Sequence, residues 1–385
     1  MIKSKVENFF IEKYNSKPTL VKAPGRVNLI GEHTDYNMGY VLPAAIEKGI
    51  YFAVQKNDTN KITIETFLNQ SEQIVFDLDG SPRPFGSFWG NYFKAILELL
   101  IAEKHPLSGF DCVFAGDIPI GAGLSSSAAL CCGFIYALAE VSNLKITKEK
   151  IASIAQQAEH KIGLNCGIMD QYAVVFGKKG NALFLDCKDT THKYVPINLK
   201  GYSWVLINSK ITHNLAVDSE YNKRRDSCER VVTQIEKSKN KIYSLRDVSR
   251  TDLEKAKAHV SPTDYLRASY ILEENNRVLR MITALENGNA DKCGEILLEG
   301  HWAMATKYEI TTKEIDLLVS TGQKLKGVMG SRMMGGGFGG CTINLIKTEL
   351  VEQQGNIIRA TYKKETGIDA EIYELHIGDG VQKLL

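Results

Sequence analysis

The chain has 385 residues, a length that favours two or three domains, and its 47 Lys plus Arg against 45 Asp plus Glu leave a formal charge of only +2. A balance so near zero gives no electrostatic case for nucleic acid or an anionic membrane as partner. With 44% apolar and 24% charged residues it reads as an ordinary globular chain that can bury a large core without disulfides or structural metal, which excludes disordered, collagenous and disulfide-stapled classes.

The N-terminus, MIKSKVENFFIEKYN, lacks the unbroken apolar core of a signal peptide, and the longest apolar run, Ala128 to Ala139, is too short to span a bilayer. The 8 cysteines include no CxxC pair and no His at zinc spacing. Cys131 and Cys132 fall inside the apolar run and read as small core hydrophobes. A reducing cytoplasm is the expected location.

In chain order, strand-like runs at Thr19–Lys22, Gly49–Gln55, Lys61–Thr66 and Gln73–Leu78 alternate with Gly, Asn and Asp clusters. Trp89 to Ala102 reads as a helix with Phe93, Ile96, Leu97, Leu100 and Ile101 on one face. Alternation at Phe110, Cys112 and Phe114 marks a half-buried strand leading into a Gly-rich loop. Helical patterns follow from Ser125 to about Val141, then from Thr147 to Ile162, the second stopped by Gly163. The pattern changes near 195–205. Beyond it, Trp204–Asn208 reads as a buried strand, Asp218–Lys237 and Pro262–Leu285 as long charged helices, and Thr342–Ile346 and Glu371–His376 as strands. Without repeats or a long linker, the simplest reading is two closely packed α+β halves, 1–200 and 201–385.

Three segments carry chemistry. In Ala23-Pro24-Gly25-Arg26-Val27-Asn28-Leu29-Ile30-Gly31-Glu32-His33-Thr34-Asp35-Tyr36, an Arg, two carboxylates, an imidazole and short polar groups crowd together. That density suits a polyhydroxylated ligand, whose hydroxyls each need an acceptor and a donor at fixed angles. Pro119-Ile120-Gly121-Ala122-Gly123-Leu124-Ser125-Ser126-Ser127-Ala128 takes a strand through glycines into three serines that open an apolar helix. Free N–H groups at a helix N-terminus make an anion site, and the glycines let backbone approach a phosphate. The competing reading is a plain serine cap. No Lys follows the glycines, so this is not a Walker A loop. In Met334-Gly335-Gly336-Gly337-Phe338-Gly339-Gly340-Cys341-Thr342, GxGxxG is literally satisfied at Gly335, Gly337 and Gly340. A strand follows where a dinucleotide fold needs a helix, which argues against a Rossmann site. Asp170, at a loop-to-helix junction, Glu159, beside His160 and Lys161, and Tyr221, in the first turn of a charged helix, each have a bland alternative as a cap, a solvated carboxylate and a surface tyrosine.

Together these segments resemble the galactokinase signature (Gly25 to Tyr36) and the second and third motifs of the parent GHMP small-molecule kinases, in the expected order along nearly the whole chain. The resemblance implies an α+β, two-domain GHMP-kinase-like architecture. Its active site would lie between an N-terminal α/β domain with a left-handed βαβ unit and a ferredoxin-like C-terminal domain. It implies ATP and Mg2+ as cosubstrate and cofactor, and galactose phosphorylated at its anomeric oxygen. Carried onto this chain, Glu32, His33, Thr34, Asp35 and Tyr221 would hold the sugar. Gly121, Ala122, Gly123, Leu124, Ser125, Ser126 and Ser127 would wrap the ATP phosphates, with Ser127 and Glu159 as metal ligands and Trp89 near adenine. Asp170 would be the base and Arg26 would sit beside the transferring phosphoryl group. Galactose and ATP are the expected partners, with no nucleic acid or membrane, and a monomer is expected. A kinase of a related sugar such as N-acetylgalactosamine or arabinose, and a non-catalytic sugar and ATP sensor, are the alternatives.

Overall fold

The computed structural model describes residues 2–67, 72–78, 88–119, 121–211 and 216–384. In the first half these form α1 (Ile2–Tyr14), β1 (Thr19–Asn28), β2 (Tyr40–Val41), β3 (Pro43–Lys56), β4 (Lys61–Thr66), β5 (Glu72–Asp77), α2 (Phe88–Ala102), β6 (Phe110–Gly116), α3 (Ser126–Ser142), α4 (Lys148–Lys161), α5 (Met169–Phe176), β7 (Asn181–Asp186) and β8 (His192–Pro196). The second half adds β9 (Tyr202–Asn208), α6 (Ala216–Glu236), α7 (Arg250–Ala256), α8 (Pro262–Glu286), α9 (Ala290–Ala303), α10 (Lys313–Gly322), β10 (Val328–Met334), β11 (Cys341–Lys347), α11 (Val351–Thr366), β12 (Glu371–Leu375) and β13 (Gln382–Leu384).

The largest sheet runs β13-β1-β3-β6-β4-β5, antiparallel except for the parallel β4–β6 pair. Helix α3 covers it. Its run from Ala128 to Leu138, including Cys131 and Cys132, is buried apart from the partly exposed Tyr136, and Gly133 lets the helix close on Phe52, whose ring a Cβ would meet at 2.3 Å. This is why a stretch apolar all round stays within the protein core. The second sheet runs β10-β11-β9-β12, and a small third one β2-β7-β8.

Several elements form as their residues dictate. Thr147 caps α4 by accepting from the Lys150 amide, and the chain turns away at Gly163 with φ +96°. Strand β1 extends past the expected Lys22 to Asn28, and its register with β3 shifts between Pro24 and Arg26. A bulge there absorbs the proline and re-aims the side chain that follows it.

One expectation needs correcting. A boundary near 200 would assign everything beyond it to the second half, yet β13 pairs with β1 through Leu20–Leu384, Val21–Lys383 and Lys22–Gln382. The end of the chain thus completes the first sheet and covers an edge of β1 that would otherwise present unpaired backbone groups. Among the described residues no helix is long and apolar enough to cross a membrane.

Candidate active site

A cavity of about 240 Å³ is lined by Arg26, Glu32, His33, Asp35, Ser127, Glu159, Met169, Asp170, Tyr221, Asn222, the 163–167 loop, and Gly335 and Gly336. The three segments singled out in the sequence therefore meet at one place.

At one end, Arg26 and Asp170 form a two-pronged ion pair: Nε reaches Oδ1 and Nη2 reaches Oδ2, both at 2.7 Å. The planar fork fixes the carboxylate in angle as well as distance. Arg26 Nη1 also donates to the Gly123 carbonyl at 2.5 Å, and the Ser125 hydroxyl donates to Asp170 Oδ2. Ser125 does not cap α3: its φ is 54° and its side chain makes no cap bond, so the plain-cap reading fails at that residue. Asp170 lies in the first turn of α5, whose N-cap is Ile168.

Alongside, Glu159 is almost wholly buried near the end of α4, accepting from the Ser127 hydroxyl and Gln171 Nε2. Burial pushes its carboxyl up to about 7, and Asp170 nearby adds to the effect. A buried acid held against a hydroxyl in an acidic corner is an oxygen-only donor pair suited to a hard cation. Among the described residues no group of 3 or more His, Cys, Asp or Glu could hold a metal. Magnesium fits such a sparse set, because it keeps water and phosphate oxygens as its other ligands.

At the other end, Glu32 is buried and accepts from Asn28 Nδ2 at 2.7 Å, the Gly335 amide at 2.9 Å and Arg332 Nη1 at 2.7 Å. Burial raises its carboxyl, and Arg332 opposes the rise most strongly. Among the described residues Asp35 makes no such ion pair, and Arg26 offsets its rise only weakly. Burial and the Asp170 charge push its carboxyl up to about 7. Gly167 makes room for it, since a Cβ there would lie 1.9 Å from Asp35 Oδ2.

His33 sits at φ 61° with both ring nitrogens engaged, Nε2 3.2 Å from the Gly336 carbonyl and Nδ1 2.7 Å from the Tyr36 hydroxyl. A carbonyl only accepts, so Nε2 carries the proton and Tyr36 donates to Nδ1. Tyr36 in turn lies 2.8 Å from the Tyr308 hydroxyl. Burial lowers the imidazole to about 4, which keeps it neutral. Tyr221, 5.0 Å from the His33 ring, forms the adjacent wall.

Several expected site residues lie off the cavity wall. Thr34 is fully buried with its hydroxyl against the Gly31 and Tyr40 carbonyls at 2.8 and 2.6 Å, so it shapes the loop rather than facing the cavity. Trp89 does not line the cavity; its Nε1 donates to Glu72 at 2.6 Å and its ring packs edge-on to Phe93 and Phe114. Of Gly121 to Ser127, only Ser127 lines the cavity, while Ala122 and Leu124 are buried beneath and Gly121, Gly123 and Ser126 are exposed beside it. Ile120, at the start of that loop, lies outside the described residues. Sequence reasoning missed Arg332, Asn222 and the Asn165–Cys166 stretch. An arginine just ahead of a glycine run was the signal available for Arg332.

The architecture and site define a class of protein. Models of the GHMP kinases N terminal domain and the GHMP kinases C terminal match residues 91–178 and 281–364. A solved mevalonate kinase, 20% identical, shares the fold with a TM-score of 0.64 over 94% of this chain and 99% of its own. The chain has the GHMP kinase fold, with its N- and C-terminal domains.

Closer relatives narrow the class. The galactokinase galactose-binding signature matches residues 8–56. The galactokinase of Clostridium acetobutylicum is 37% identical over 388 residues, covering 100% of this chain and 98% of that one. That of Thermotoga maritima is 38% identical over 373 residues, covering 94% and 99%. The crystal structure of Lactococcus lactis galactokinase complexed with galactose superposes with a TM-score of 0.94 at 33% identity over 100% of both chains. The chain belongs to the galactokinase family, and its activity is ATP-dependent phosphorylation of a sugar.

Proposed function

We propose that this kinase transfers the terminal phosphoryl group of ATP to the anomeric hydroxyl of galactose, giving galactose 1-phosphate and ADP. The observation that carries the reading is the Arg26–Asp170 fork at the cavity end that also holds Ser125 and the glycine loop. It puts a carboxylate that can orient and deprotonate a hydroxyl beside a guanidinium that can neutralise developing phosphoryl charge. Phosphoryl transfer needs little covalent help from protein, so these positioning and electrostatic roles account for most of the catalysis. The anomeric O–H gives its proton to Asp170 as the new O–P bond forms and the bond to the ADP oxygen breaks. Asp is a weak base toward a sugar hydroxyl, so proton transfer runs late and orientation matters more.

In this reading Glu32, Asp35 and Tyr221 take the sugar hydroxyls, while His33 and Thr34 hold the loop that presents them. Amide groups of Gly121 to Ser127, freed at the start of α3, receive the ATP phosphates, with Ser126 exposed toward them. Ser127 and Glu159 would hold magnesium, which supplies charge neutralisation on the phosphate oxygens. Trp89, at the start of α2, remains the aromatic candidate for adenine. The two units read in the sequence, with β13 returned to the first, would then flank the substrates. All 8 cysteines are free, which supports a reducing, cytoplasmic setting.

The test is ATP consumption across a panel of free sugars. Galactose should exceed glucose in kcat/KM by a wide margin, about 10²-fold or more, because a site built for one hydroxyl arrangement leaves its polar groups unpaired with another. Comparable values for the two sugars would overturn the specificity, and a higher value for N-acetylgalactosamine or arabinose would reassign the substrate.

A further inference from the structure

The Glu32 carboxylate is held by a residue from the far end of the chain. Arg332, in β10, is completely buried, and nearly all its N–H groups have acceptors. Nε donates to the Leu29 carbonyl at 2.9 Å, Nη2 to the Asn28 carbonyl at 2.5 Å, and Nη1 to the Met333 carbonyl at 2.8 Å and to Glu32 Oε2 at 2.7 Å. One guanidinium thus ties the end of β1 to the strand that leads into the late glycine hairpin.

Glu32 is used almost as fully. Oε2 accepts from both Arg332 and Asn28, and Oε1 accepts from the Gly335 amide. A carboxylate offers about four lone-pair sites. The remaining one belongs to Oε1, on a carboxylate that lines the cavity.

We propose that Arg332 is a positioning residue for sugar recognition, fixing the Glu32 carboxylate so that one Oε1 lone pair is left for a ligand hydroxyl that donates from a single direction. The proposal rests on the reading of Glu32 as a sugar-hydroxyl acceptor. It explains why the position holds an arginine: a lysine has three donors on one atom and could not serve three backbone carbonyls and a carboxylate at once. It also gives the glycine hairpin a task, since the Gly335 amide fixes Oε1 while Arg332 fixes Oε2.

The charged and titratable groups around Glu32 come from each element packed on it. Helix α8 brings Glu274, which accepts from the Gly31 amide and pairs with Arg277, and Tyr270, whose hydroxyl donates to the Glu32 carbonyl. The loop itself brings His33, held neutral. Glu274 and burial both disfavour the Glu32 charge, and Arg332 is the largest opposing influence. Without Arg332, Glu32 would take up a proton at higher pH and lose its capacity as acceptor from the acid side.

The experiment measures sugar KM, kcat and ATP KM against pH for Arg332→Lys, Arg332→Gln, Glu32→Gln and the Arg332→Gln/Glu32→Gln double variant, with galactose as probe. Both Arg332 variants should raise sugar KM about tenfold or more, with kcat and ATP KM nearly unchanged; the defect should deepen as pH falls in Arg332→Gln, and much less in Arg332→Lys, which keeps the cation but loses the fork. Glu32→Gln should raise sugar KM without that pH dependence, and adding Arg332→Gln to it should change sugar KM by less than about twofold. A pH-independent loss in Arg332→Gln, or additive effects in the double variant, would overturn the proposal and leave the reading of Glu32 intact. An unchanged sugar KM in Glu32→Gln would overturn that reading and the proposal with it. Should the Arg332 variants fail to fold, carbon NMR of the Glu32 carboxyl in the unmodified protein decides. An ionised group at neutral pH without sugar is expected, and a protonated one overturns the proposal.

Discussion

Asp170 and Asp35 line the same cavity in opposite surroundings. Asp170 is clamped by both prongs of Arg26 and by Ser125. Asp35 has no ion pair among the described contacts, presses against Gly167, and is pushed up to about 7 by burial and by Asp170 itself. The comparison teaches that environment, not residue type, divides the work. A carboxylate held rigidly beside a guanidinium can orient a reacting hydroxyl, whereas one left without a cation waits for ligand hydroxyls to satisfy it.

The largest effect should come from breaking the clamp at its cationic side. Arg26→Met removes the charge that faces the phosphoryl group and frees Asp170, so kcat should fall by about 10²–10³-fold with the fold retained. Steady-state kinetics beside a thermal melt checks this; a loss no larger than the drop in folded protein would make Arg26 merely structural. Next, Ser127→Ala and Glu159→Gln should raise the magnesium concentration for half-maximal rate by roughly 10–100-fold while galactose affinity changes little. Galactose affinity lost with a normal magnesium response would reverse that assignment.

Asp35 gives the comparison its pH signature. Sugar hydroxyls bond best to the ionised carboxylate, so galactose affinity should weaken as pH falls through about 7, the position burial gives this group. The limit is about tenfold per pH unit. Stability without ligand should run the other way. A carboxyl whose folded value is raised from 3.8 to about 7 contributes stability at low pH that is lost as pH rises through 7. The melting temperature of the ligand-free protein should therefore drop by roughly 2–5 °C more between pH 5 and 8 than that of Asp35→Asn. Parallel curves for the two proteins would remove Asp35 from the account. The smallest effect belongs to Thr34→Ser, which keeps the hydroxyl on its two backbone carbonyls and should leave galactose KM within about twofold. A large rise would return Thr34 to the sugar.

What the sequence disclosed follows from the range of the forces involved. Periodicity and capping are local, so Lys61–Thr66 and the helix after Thr147 were readable nearly to the residue. Strand β10 was not, because Val328-Met329-Gly330-Ser331-Arg332 alternates poorly and becomes a strand only by pairing with β11. Strand β13 is just Gln382–Leu384 and owes its existence to β1. The site followed the same rule. Motif chemistry pointed to Arg26, Asp35 and Ser127, and the family resemblance to Glu159, Asp170 and Tyr221; all six line one cavity. Nothing local told Thr34, spent on the backbone, from Asp35 beside it, or said that Ser125 would bond Asp170 instead of capping α3. Arg332 lies 300 positions from Glu32, and the buried pair exists only in the folded chain.

The most direct test of the division of labour is Asp170→Asn, followed by calorimetric titration with galactose and by kcat under saturating substrates. Asn keeps the shape of the side chain while removing its charge and basicity. The account predicts turnover lower by about 10²-fold or more, with galactose bound within a few-fold of the unmodified protein and the fold intact. Near-normal turnover, or binding lost in proportion to turnover, would contradict it.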